Sequence, residues 1–356
     1  MKSVIAAVSL TFKLQDSQRK DLAIFKNIHK VIPESWLVDR TENIKLPFSS
    51  TVKNENKIPL FLEIKNKDLL SCCLDRASDF ISTGKKLYLM WSGGLDSTVI
   101  LISFILSNVP RDQVVIVCNP DSLRENYNFY EKYIRGNYNL MSSELFMQEI
   151  KTSVLDGLII SGEQGDCMFG QDFGMDMFSK FGSLYLESSF DKNNLIKYFC
   201  ISGMDVESAD CWSDLFISNL NCSPRPVITM YDFSWWITYN WRWQWAKEKL
   251  NLRTQYDQQL ETFFSSEQLQ YWSVNHKQSS IRSLIDFKKD FKNIIFKFTN
   301  DSLIFSKIKH PSATVYYTAN SFSLIDNQGK RYKEKEYNIL DYYQEDNFIN
   351  RWLGYV

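Results

Sequence analysis

The chain has 356 residues, 44 % apolar and 15 % aromatic, enough to bury one large core or two smaller ones. A formal net charge of −1 carries no domain-wide basic excess, which disfavours nucleic acid as a partner while leaving a local positive groove open. Seven cysteines with no Cys-x-x-Cys spacing, and only three histidines, argue against a disulfide framework and against structural zinc, and fit reduced thiols in the cytoplasm.

Residues 1–60 read as a small N-terminal segment ending in the loop Asn54-Glu55-Asn56-Lys57-Ile58-Pro59. Residues 4–10 faintly resemble the apolar part of a signal peptide, but the run is short and lacks a small-x-small cleavage site, so no secretion is expected. Leu69, Leu70, Cys73, Leu74, Ala77, Phe80 and Ile81 keep helical spacing, with Gly84 at the stop and Lys85-Lys86 suited to the negative helix end. The apolar run 87–91 predicts a strand, Ser92-Gly93-Gly94-Leu95-Asp96-Ser97 a turn, and Val99, Ile100, Leu101, Ile102, Phe104, Ile105 and Leu106 a helix. No membrane span is expected, because the most apolar stretch, residues 87–106, contains Asp96 and the glycine turn. A turn of this kind gathers backbone N–H groups, hydroxyls and a helix N-terminus around one point, which suits phosphate. Asp96 would repel a bare phosphate, and fits if a divalent cation lies between them.

Val114–Cys118 is a continuous apolar run, the mark of a buried parallel strand, and a helix is expected from near Ser122. Asn119, at the carboxyl end of that strand, reads equally as an adenine or ribose contact and as a plain turn residue. Residues 157–160 form a third apolar run, followed by Ser161-Gly162-Glu163-Gln164-Gly165-Asp166-Cys167-Met168-Phe169-Gly170. Strands alternating with helices predict an α/β fold. The strand rhythm stops near residue 186. Trp235, Trp236 and Tyr239, close to Phe233, Trp241, Trp243 and Trp245, keep the spacing of a helical core face; base-stacking platforms are the weaker reading without a basic stripe. The stretch 321–332, with Asn327-Gln328-Gly329 at its centre, reads as a hairpin.

The two glycine-bearing segments carry a family resemblance. Residues 92–97 resemble the SGGxDS pyrophosphate loop of the N-type ATP pyrophosphatases, and residues 161–170 resemble the SGEGxDExFGG stretch of the synthetase domain of asparagine synthetases. The resemblance spans roughly residues 62–312 and is weak outside the two loops: Glu261 to Ser266 only loosely resembles an RxPFLD-type segment. It implies a parallel-sheet PP-loop ATP pyrophosphatase core of the adenine nucleotide alpha hydrolase-like kind over residues 61–185 and a helical synthetase-like part over 186–313, with residues 314–356 read separately as a C-terminal hairpin or tail. It also implies ATP and Mg²⁺ as cofactors. Ser92, Gly93, Gly94, Leu95, Ser97, Ser161 and Gly162 would line the nucleotide, and Asp96 and Asp166 would share the Mg²⁺. The implied reaction adenylates a small-molecule or peptide carboxylate, then lets ammonia or an amine displace AMP, with Glu163 orienting the amine or taking its proton. The family supplies a lysine to the phosphates from about the position of Lys307 and Lys309; a solvated lysine pair is the plainer reading.

Departures at Cys167 and Gln171 bear on the substrate rather than on the ATP chemistry. Cys167 replaces an acidic residue and Gln171 replaces the last glycine. Cys167 reads as a small buried hydrophobe rather than a nucleophile, since no histidine is near it in sequence. The leading segment lacks the length and the catalytic cysteine of a glutaminase domain, so glutamine is not expected as a built-in nitrogen source. The absence of a cysteine zinc site separates the chain from the deazaguanine-forming branch. A homodimer is left open. Two rivals stand beside the ligase: a PP-loop enzyme acting on a nucleobase or nucleotide, and a catalytically lapsed ATP-binding protein.

Overall fold

The computed structural model describes residues 3–5, 39–43, 57–60, 67–152, 156–243, 259–276, 281–307, 323–325 and 331–333. Lys309 and Trp245 lie outside these residues. The first helix, α1 (Leu69–Ser82), starts at Asp68, whose side chain accepts from the Ser71 N–H, and it buries Leu69, Cys72, Cys73, Ala77 and Phe80. Strand β1 (Leu87–Met90) leads into α2 (Leu95–Leu106), and β2 (Val114–Cys118) into α3 (Pro120–Glu125). Then come β3 (Asn139–Ser142), α4 (Ser143–Thr152), β4 (Leu158–Ser161), α5 (Gly165–Phe169) and α6 (Gln171–Phe181).

The helical part follows, with α7 (Lys192–Ile201), α8 (Val206–Asn219) and α9 (Met230–Trp241) as its main members. The chain then returns to the sheet through β5 (Leu260–Thr262), and continues in α10 (Glu267–Asn275) and α11 (Lys289–Thr299).

The five strands are all parallel, in the order β3-β2-β1-β4-β5. Two of them were not expected from sequence. β3 carries the polar ends Asn139 and Ser142, and β5 has only three residues, too few for a period to show. The return of β5 to the sheet corrects the reading that strands end near residue 186. The central strands β1, β2 and β4 are buried on both faces, as expected of a parallel sheet. Leu87, Leu89, Ile116 and Ile160 face a core shared with α1, α2, α10 and α11, including Phe263, Phe264 and Phe291. Tyr88, Val115, Val117 and Ile159 face the other side, against Phe146 and Ile150 of α4.

A second core fills the helical part, where Tyr198, Phe199, Trp212, Phe216, Phe233 and Trp241 are buried. From Phe233 to Trp241 every residue of α9 is buried, and Trp235, Trp236, Tyr239 and Trp243 join it to the sheet-side core. Trp235, Trp236, Trp241 and Trp243 are therefore packing residues, not platforms for bases. Two residues of the leading segment are inserted here. Arg40 is 1 % exposed and donates to the Tyr239 carbonyl at 2.8 Å and to Gln270 Oε1 at 2.6 Å. Its guanidinium lies 4.8 Å from the Tyr239 ring centre and 4.6 Å from that of Trp243. Its neighbour Asp39 accepts from Asn240 Nδ2 at 2.9 Å and from Asn219 Nδ2 at 3.3 Å.

Ser3–Ile5 pairs antiparallel with Ser323–Ile325, which pairs with Arg331–Lys333. The hairpin near the end of the chain is thus present, with the first strand added to it. Among the described residues no helix is long and apolar enough to cross a membrane.

Candidate nucleotide site

The strand order reverses between β1 and β4: the chain steps outward from β1 to β2 and β3, then crosses back to β4 and β5. In open parallel sheets such a reversal leaves a crevice at the carboxyl ends of the two strands. Both sequence motifs lie there, one after β1 and one after β4.

The first loop is held by its own hydroxyls. Ser97 Oγ accepts from the Ser92 N–H at 3.1 Å and lies 3.1 Å from Ser92 Oγ, and the Gly94 N–H donates to Ser92 Oγ at 3.3 Å. Gly94 is the N-cap of α2 and brings no side chain, so no side-chain cap covers the positive end of the helix. Gly93 has φ +74°, and a Cβ there would overlap the Ser122 carbonyl oxygen and stand 2.9 Å from Glu125 Cβ. Glycine is needed for both reasons. Leu95 is half-buried and starts the helix.

The second loop lies directly on the first. A Cβ on Gly162 would stand 3.2 Å from Asp96 Cβ, and one on Gly165 would overlap the Asp96 carboxylate. Ser161 is buried at the end of β4, where its Oγ accepts from the Glu163 N–H at 3.3 Å. Asp166, in the first turn of α5, turns toward Asp96. The two carboxylates meet on one cation, the ammonium of Lys288. Its Nζ contacts Asp96 Oδ1, lies 2.6 Å from Asp96 Oδ2 and lies 2.5 Å from Asp166 Oδ1. The Lys288 side chain is 2 % exposed, against 23 % for Asp96 and 15 % for Asp166. Lys288 stands just before α11 with φ +55°, a left-handed conformation that costs a β-carbon residue about 1–2 kcal/mol.

Lys307 reaches the first loop from the other side. Its Nζ donates to the Gly93 and Glu125 carbonyls, both at 3.0 Å, and pairs with Glu125 Oε1 at 3.0 Å. The expected Ser92, Gly93, Gly94, Leu95, Asp96, Ser97, Ser161, Gly162, Asp166 and Lys307 are therefore gathered in one place. Glu163 is exposed on the second loop at the same rim. Asn119 is used locally: its Oδ1 accepts from the Ser122 N–H at 2.8 Å and caps α3.

Lys288 is the site residue that sequence reading did not assign. A trace of it was available, since it is flanked by Phe287 and Phe291, both buried, so its side chain starts from a buried face. Two carboxylates on one point are what Mg²⁺ takes from a protein when phosphate oxygens complete its shell. Among the described residues there is no group of three His, Cys, Asp or Glu that could cage a metal by itself. The donor set thus suits a metal arriving with phosphates, in competition with the Lys288 ammonium.

Cys167 is 4 % exposed, and burial pushes its thiol up to about 12, which suits packing and not nucleophilic attack. Gln171 is buried and sends its amide to Met175 Sδ at 3.1 Å. Gly170 before it has φ +63° and lies against the backbone of Trp235. Helices α10 and α9 hold α5 by its C-terminal carbonyls: Ser273 Oγ of α10 donates to Met168 O at 2.7 Å and Tyr231 OH of α9 to Phe169 O at 2.6 Å. Asp172, at the start of α6, pairs with Arg242 at the end of α9. Compared with protein-family models, with curated proteins and with solved structures, the chain matches none.

Proposed function

We propose that the protein is an ATP-dependent ligase, forming AMP and pyrophosphate, that joins a carboxylate to ammonia or an amine in the manner of asparagine synthetases. One observation carries the reading: two glycine loops, each with an aspartate, meet at the reversal of a parallel sheet, against an uncapped helix N-terminus and two lysines.

In this reading the first-turn amides of α2 and the hydroxyls of Ser92 and Ser97 donate to the β- and γ-phosphates. Lys307 gives up its carbonyl partners for a phosphate oxygen, and Lys288 neutralises charge on the departing pyrophosphate. Asp96 and Asp166 would hold a Mg²⁺, which when bound spreads the charge of the leaving group. A carboxylate oxygen attacks the α-phosphorus, the bond to the β-phosphate oxygen breaks and pyrophosphate leaves. The amine then attacks the acyl carbon, AMP departs with the electron pair, and Glu163 accepts the proton released.

The test is an ATP–pyrophosphate exchange screen across carboxylates, with phosphorus NMR of the products. AMP and pyrophosphate are expected, and ADP as the main product refutes the reading. A catalytically lapsed nucleotide-binding protein is the second reading, favoured by the ammonium already bridging Asp96 and Asp166. MgATP binding with no exchange on any carboxylate selects it.

A further inference from the structure

Lys292 is the most buried lysine that this chemistry does not use. It lies one turn after Lys288, in α11, and is 1 % exposed. Its Nζ donates to three main-chain carbonyls: Ile285 and Lys307, both at 2.6 Å, and Phe305 at 3.3 Å. An ammonium has three donors, and all three are spent. A buried charge is tolerated only when it is fully hydrogen-bonded, so a lysine buried here needs all three acceptors.

The acceptors lie in two stretches on either side of α11 in the chain. Ile285 sits in the turn Leu284–Asp286, which leads into Lys288. Phe305 and Lys307 sit at the end of the turn Ser302–Ser306. The two charged groups that bear on Lys292 are Asp286 and Lys307, one of each sign. Among the described residues no side-chain carboxylate pairs with the ammonium, and its hydrogen bonds go to backbone carbonyls. One side chain therefore ties the chain before Lys288 to the chain that carries Lys307.

We propose that Lys292 is a positioning residue that fixes the separation of the Lys288 and Lys307 ammonium groups across the first glycine loop, and thereby the fit of that loop to a polyphosphate. The polyphosphate part rests on the ligase reading; the geometric part does not. Loss of a purely stabilising lysine would lower the melting temperature without altering where Lys307 sits.

The experiment uses the full chain with Lys292→Met, Lys292→Arg and the exposed Lys297→Met on the same helix. Two quantities are read: the acetylation rate of Lys307 by mass spectrometry at a temperature where all variants are folded, and binding of MgATP and of magnesium pyrophosphate by calorimetry. Lys292→Met is expected to raise Lys307 acetylation about fivefold or more and to weaken both ligands about tenfold to a hundredfold, the scale of a misplaced contact. Lys292→Arg keeps donors but not one three-way point, and falls between. Lys297→Met changes neither. If Lys307 acetylation is unchanged in folded Lys292→Met, the positioning role is overturned. If acetylation rises while wild type binds neither ligand, the positioning stands and the ligase reading fails. Should Lys292→Met not fold, Lys292→Arg decides by the same two readouts.

Discussion

Replacing Lys288 by methionine removes a cation from between two carboxylates and changes little else, since methionine keeps the unbranched stem. Taking one partner out of a buried ion pair costs about 3–5 kcal/mol, because the remaining charge stays desolvated. Here two carboxylates remain, but they are 23 % and 15 % exposed, so water reaches both and the low end, about 3 kcal/mol, is expected. The variant should also gain a response that wild type lacks. Without the ammonium, the like charges of Asp96 and Asp166 lose a cation they share, and Mg²⁺ can take its place. Each tenfold excess of Mg²⁺ over its dissociation constant returns about 1.4 kcal/mol to the variant. Wild type must first displace Lys288 and should respond less. Urea unfolding with and without millimolar Mg²⁺ measures both effects. Equal stability of the two proteins in metal-free buffer, or an equal Mg²⁺ increment in both, refutes the claim that Lys288 holds the place of a metal.

Gly93→Ala and Gly84→Ala both put a β-carbon at positive φ, but only Gly93 has a neighbour in the way, so urea unfolding should show a loss of about 1 kcal/mol at Gly84 and a further 1–3 kcal/mol or so at Gly93. Similar losses at the two sites would mean that the loop can back away from Ser122. Cys167, raised to about 12, stays a protonated thiol at pH 8, so iodoacetamide should leave it unmodified in the folded chain and label it in urea; labelling of the native protein, read by peptide mass, would count against its burial. Burial lowers Lys292 from 10.5 to about 8, so between those values the unfolded chain holds the extra proton and stability from this residue rises with pH. The stability deficit of Lys292→Met should therefore widen from pH 8 to pH 10, and a deficit that narrows would show that the folded pKa is not lowered.

The central strands and both loops were legible because their signals are local. β1, β2 and β4 are short apolar runs, and each glycine turn stands right after one of them. β3 and β5 gave no such signal: one has polar ends, and the other has three residues separated from β4 by the whole helical part. The meeting of Asp96 with Asp166 was read from motif order, and the sheet reversal supplies the physical reason for it. Lys288 could not be read in the same way, since its partner Asp96 is 192 positions earlier and nothing periodic links them. Arg40 is a harder case still. A lone arginine in a polar segment reads as solvated, and only the packed rings of Tyr239 and Trp243 make a place for it.

That arginine has a consequence for how the chain can be cut. Residues 1–60 look dispensable by composition, yet a fragment starting at residue 61 would lose the guanidinium plug between Tyr239 and Trp243. Gln270 would lose a donor, and Asn219 and Asn240 would lose the Asp39 acceptor, all of them inside the protein. Such a fragment would carry a hollow lined by amides that have each lost a partner. A short peptide spanning Asp39 and Arg40, added back to it, would act as a missing cork rather than as a ligand.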